Sequence, residues 1–117
     1  MTRQEAFDKV WAGLKTQGFR RSDDRSFSRP VCLYRGPDGL KCAIGHLITD
    51  DEAECMGSLS ISDSHARFLF RDGASLVGLD FEFCTLLQAV HDTGSDPHRM
   101  KAGLQEFAGL HRLQVPA

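Results

Sequence analysis

The chain is expected to fold as an α+β domain, dominated by helices and carrying one small antiparallel β-hairpin packed beneath them. Three observations predict this. Apolar residues recur at helical spacing in the first and last thirds, and cap residues frame those stretches. Between them, Gly36-Pro37-Asp38-Gly39 separates two short runs of strand-forming character.

The first helix is the clearest element. Thr2 and Glu5 have the spacing of a capping box, and Phe7, Val10, Trp11 and Leu14 follow on one face. Gly18 is placed to end the helix in a left-handed cap, with Phe19 closing onto Leu14 as in a Schellman motif. Residues 20–30 are charged and irregular and read as a surface loop.

Val31 to Arg35 then reads as a strand. Pro37, Asp38 and Gly39 fit a type I turn with a bulge, returning along Leu40 to Ala43. A competing pattern is present in the same residues. Leu40, Ala43, Ile44, Leu47 and Ile48 have the spacing of a helical stripe. The reading adopted is a hairpin that runs directly into a short helix.

Asp50-Asp51 can cap another short helix ending at Gly57, whereas residues 58–78 are the hardest to read: Ser60 to Asp63 offers caps and turns, and Ala66 to Phe70 fits either a helix or a strand. Asp80 can cap a helix that turns Phe83, Leu86, Leu87 and Val90 inward and stops before Gly94. Asp96-Pro97 opens a last helix with Met100, Leu104, Phe107 and Ala108 on one side. A hairpin alone is marginal in water, so helices must cover one of its faces.

Bulk properties narrow the classes. At 117 residues the chain has the size of one domain, residues 1–117, and can bury a core without covalent staples. With 41% hydrophobic and 26% charged residues it is neither disordered nor a membrane span. No secretory signal pattern opens the sequence, which points to a cytoplasmic protein. In that compartment Cys32, Cys42, Cys55 and Cys84 are expected as thiols, mostly buried. The net charge of −2 argues against direct nucleic-acid binding, and the one dense basic stretch, Arg20-Arg21 with Arg25 and Arg29, is interrupted by Asp23-Asp24.

Three constellations bear on chemistry. Cys32, Cys42 and His46 are zinc-ligand types, with His91 and other cysteines in reserve, but their spacing lacks the C-x2-4-C knuckle of structural zinc sites. In the hairpin register Tyr34 faces Cys42, which sets Cys32 and Cys42 diagonally on one face as packed thiols. Cys42 with His46, or with His91-Asp92, has the residue types of an activated thiol. The bland alternative for His91 is a side chain favoured near a helix C-terminus. Finally, a glycine-bearing turn followed by Lys41 raises phosphate binding, yet no Walker pattern accompanies it and a plain turn is the simpler reading. No catalytic residue, resident metal or cofactor is assigned on these grounds. Tyr34 and Arg35, with Asp38 and Lys41 beside them, form the preferred contact surface, since Tyr and Arg are enriched in interface hot spots.

The run from Cys32-Leu33-Tyr34-Arg35 to Lys41-Cys42-Ala43-Ile44-Gly45-His46-Leu47-Ile48 resembles the signature of a family of short, functionally unassigned proteins from tailed phages, prophages and plasmids. Leu87-Gln88 with His91-Asp92 is similar to a second motif of that family, Leu-Gln-x-x-His-Asp. The likeness spans roughly residues 5 to 116. The chain departs from the family where Thr49-Asp50 and Cys55-Met56-Gly57 replace segments bearing Pro and Tyr. The resemblance implies a context more than an activity: a protein-binding module from a mobile element, acting on a host protein or protein complex. Such a module can disable a host defence complex such as a CRISPR effector. The alternative is a small metal-binding or thiol-dependent protein built on Cys32, Cys42, His46, His91 and Asp92. A homodimer is compatible with either reading.

Overall fold

Among the described residues, four α-helices follow from local chemistry: α1 (Arg3–Thr16), α2 (Asp50–Met56), α3 (Phe81–Thr93) and α4 (Pro97–Leu110). The computed structural model describes residues 1–24 and 31–116, without the side chains of residues 23, 24, 31 and 32. Thr2 and Glu5 form the expected capping box of α1. At its other end Gly18 N–H donates to Lys15 O and Phe19 N–H to Leu14 O, the paired bonds of a Schellman cap. Gly18 and Phe19 both have positive φ there. Asp80 caps α3 through Phe83 N–H, and Asp96 caps α4 through Arg99 N–H with Pro97 in the first turn. For α2 the cap is Thr49, which forms a second capping box with Glu52; Asp50 and Asp51 lie inside the first turn.

The core joins elements from the two ends of the chain. Phe7 stacks on Phe107 with ring centroids 6.2 Å apart, and Phe83 lies 5.4 Å from the same Phe107 ring. Trp11 meets Phe19 edge-on, and its indole N–H finds no acceptor among the described residues. Arg3 reaches Asp80 Oδ1 at 2.8 Å, tying the start of α1 to the start of α3. Near the end of the described chain, Gln4 brackets the Gln114 backbone, accepting its N–H and donating to its C=O. Within residues 58–78 the ambiguity at Ala66 to Phe70 resolves as a 3₁₀ segment Ser64–Phe70 capped by Asp63, with Ala66 and Leu69 in the core. Among the described residues no helix is long and apolar enough to cross a membrane.

The expected α+β class is not what forms: the architecture is a helical globule. The hairpin between Val31–Arg35 and Leu40–Ala43 is absent, because other groups take the backbone atoms its ladder would need. The Gln17 side chain accepts Lys41 N–H at 3.1 Å and donates to Lys41 O at 2.8 Å. The buried Ser22 hydroxyl donates to Leu33 O at 2.8 Å and lies 3.3 Å from Leu40 O. Residues 31–32 pair upstream instead, in a two-residue ladder with Asp23–Asp24 that is too short to form a sheet layer.

The competing apolar stripe prevails. Leu40, Ala43, Ile44, Leu47 and Ile48 are all buried around a 3₁₀ turn at Ile44–His46. The 37–39 turn also differs from expectation, since Asp38 adopts φ 58 in place of a right-handed turn conformation. With no hairpin, the register that set Cys32 beside Cys42 lapses, and the Cys32 side chain lies outside the described ones.

Candidate functional site

The two sequence motifs meet in the folded chain. Gln88, on the inner face of α3, accepts Ile44 N–H through Oε1 at 3.0 Å and donates through Nε2 to Asp92 Oδ1 at 3.0 Å. His91, fully buried one turn on, accepts Ser22 N–H at Nε2, 3.1 Å away. A backbone N–H can only donate, so this bond assigns the ring proton to Nδ1, which faces Asp92 Oδ1 at 3.1 Å. Asp92 therefore gathers two inward-facing polar groups, and its own carbonyl receives a bond from Arg21.

This network organises backbone. The Nε2 lone pair of His91, which a general base would need, is taken up by Ser22 N–H. Cys42 is fully buried, and its Sγ accepts Gly45 N–H at 3.4 Å. Burial pushes the Cys84 thiol up to about 12, with the Asp80 carboxylate adding to the effect, so it stays protonated. Cys55 is exposed. No group of three or more His, Cys, Asp or Glu side chains converges as a metal site among the described residues.

His46 turns away from that network toward α1. Its Nε2 lies 3.0 Å from Gln17 Oε1, and a Cβ built on Gly13 would come within 2.3 Å of its ring. Burial, followed by the Lys41 and Arg35 charges, lowers its pKa to about 4, so the imidazole is neutral at physiological pH.

The contact surface expected at Tyr34 and Arg35 is not an exposed tip. Tyr34 is only 4% exposed, and its hydroxyl donates to Leu59 O at 2.5 Å. Arg35 folds inward, donating to Tyr34 O, Gly45 O and Ile48 O, while its Nε pairs with Asp50 at 2.7 Å. A planar fork of donors suits this clustering of carbonyls, and hot-spot statistics alone could not distinguish it from a docking arginine. Asp38 and Lys41 do remain at the surface. They edge a cleft of about 540 Å³ whose other wall is the last turn of α1 with Gln17 and Arg20 just beyond its end.

A second surface feature escaped the sequence reading. Leu86, expected inward, is 43% exposed, and Leu110 is 76% exposed. With Val90, Gly103 and Phe107 they line a mainly apolar groove of about 310 Å³ between α3 and α4. Leu86 and Val90 are one turn apart on α3, a spacing that fits a core stripe equally well. Only the position of α4 decides which side they face. Compared with known proteins, the chain matches no family model, no curated protein and no solved structure.

Proposed function

We propose that the chain is a small protein-binding module and that it engages its partner through the α3–α4 groove. One observation carries this reading: Leu86 and Leu110 are exposed side by side with an apolar recess, on a surface built from two packed helices. Large apolar side chains grouped around a recess mark interaction sites on soluble domains. A rigid two-helix face also offers a partner apolar anchors at low ordering cost. The motif resemblance supplies the context, in which the partner is a host protein or complex such as a CRISPR effector. The Cys42, Gln88 and His91 side chains are engaged in holding backbone, which favours a binding role over a thiol or metal centre.

The test is a pair of substitutions that leave the core alone. Leu86→Asp with Leu110→Asp should retain the helical circular-dichroism spectrum and melting temperature. It should lose a host protein that the unaltered chain captures stoichiometrically from host extract. Undiminished capture by the folded double variant would overturn the assignment.

A further inference from the structure

The Gly-Pro-Asp-Gly turn and Lys41 raised phosphate binding without a motif to support it, and the fold gives that lysine a setting the sequence does not show. Gln17 is the template. Its amide donates to Arg20 O at 2.9 Å and Lys41 O at 2.8 Å, and accepts from Lys41 N–H and from His46. Three of the four hydrogen-bonding positions of this side chain thus fix the backbone of two cationic residues at a cleft, and the fourth holds His46. Arg20 is anchored further by its own Nε, which donates to Gln17 O at 3.2 Å. Its terminal guanidinium nitrogens meet no acceptor, and Lys41 Nζ meets no carboxylate, among the described residues.

We propose that this cleft binds the phosphate group of a small anionic ligand, held between Arg20 on one wall and Lys41 on the other. The volume of about 540 Å³ falls within the range of roughly 300–1,000 Å³ typical of small-molecule sites. Asp38 is the acidic residue of the lining, so two cations oppose one carboxylate. A phosphate carries close to two negative charges and three acceptor oxygens, enough to meet both the guanidinium fork and the ammonium. His46 sits at the same cleft as an internal probe of its potential. Lys41 and Arg35 help to hold its pKa near 4, and a bound anion would offset part of that field. Neither Arg20 nor Lys41 lines the α3–α4 groove, so this site and the protein-binding surface stand or fall separately.

The experiment is an NMR titration of the full chain at constant ionic strength with inorganic phosphate, adenosine 5′-monophosphate and a short single-stranded oligonucleotide. Saturable shifts confined to residues around Gln17, Arg20 and Lys41 are expected, with a Kd on the order of 1 mM or below for the mononucleotide. The His46 pKa should rise on saturation. Arg20→Ala and Lys41→Ala should each weaken binding at least about tenfold without moving the melting temperature. Three outcomes overturn the proposal: no saturable shift by phosphate or mononucleotide at about 10 mM, equal affinity in the Arg20→Ala Lys41→Ala double variant, or an oligonucleotide binding more than tenfold tighter than the mononucleotide. The last would assign the cleft to a nucleic-acid backbone.

Discussion

Gln88 Oε1 accepts the backbone N–H of Ile44 at 3.0 Å, across 44 residues of sequence, inside the protein. The bond joins α3 to the 3₁₀ turn that displaces the expected hairpin, and the same amide reaches on to Asp92.

Replacing Gln88 by Leu keeps the volume but leaves the Ile44 N–H without its acceptor. A stranded buried donor costs about 1–3 kcal/mol, so the urea midpoint should fall accordingly. Gln88→Glu separates the two halves of the role. It can still accept from Ile44 but sets a carboxylate against Asp92, so its deficit should be larger at pH 7 than at pH 5. Equal stability of Gln88→Leu and the unaltered chain in chemical denaturation would show the bond to be dispensable.

His46 makes stability depend on pH in a defined direction. Unfolded, it takes up a proton near 6.5; folded, it does so only near 4. Between those values the unfolded state binds more protons, so this contribution is present in full above about pH 6.5 and is lost as the pH falls toward 4. His46→Gln, which can keep a donor toward Gln17, should flatten the slope of stability against pH across that window. Denaturation midpoints measured from pH 4 to 7.5 check it, and an unchanged slope would assign the dependence to other groups.

Two helical glycines should respond to alanine with opposite signs. A Cβ on Gly13 would meet the His46 ring at 2.3 Å, whereas one on Gly109 meets nothing within 4 Å. Gly109→Ala should therefore gain roughly 0.5–1 kcal/mol from helix propensity. Gly13→Ala should lose about 1–3 kcal/mol, because α1 and the 44–46 turn must separate. Thermal melts of the two variants side by side distinguish the cases.

What the amino-acid order revealed was whatever local chemistry decides. The capping box of Thr2 and Glu5, the Schellman cap at Gly18, and the Asp80 and Asp96 caps need only neighbours within about five residues. The segment from 31 to 48 was decided otherwise. Whether Leu40–Ala43 pairs as a strand depends on Gln17 and Ser22, about 20 residues upstream, whose side chains capture the ladder groups. Ser22 stands in a charged stretch and reads as solvated, so nothing local announces its burial. The same difficulty hid the α3–α4 groove. Tyr34 and Arg35 have the residue types of a contact site yet serve as internal ties, while Leu86 has the spacing of a core residue yet faces out.

The stacking of Phe7 on Phe107 and the bracket between Gln4 and Gln114 have a consequence for synthesis on the ribosome. The apolar face of α1 is completed by α4, which is synthesised after it. Until residues beyond 107 have cleared the exit tunnel, Phe7 and Phe83 lack their contact with the Phe107 ring. Folding of the nascent chain must therefore wait for translation to finish this region, and a message cut short before α4 would yield a product that exposes its aromatics to proteases and chaperones.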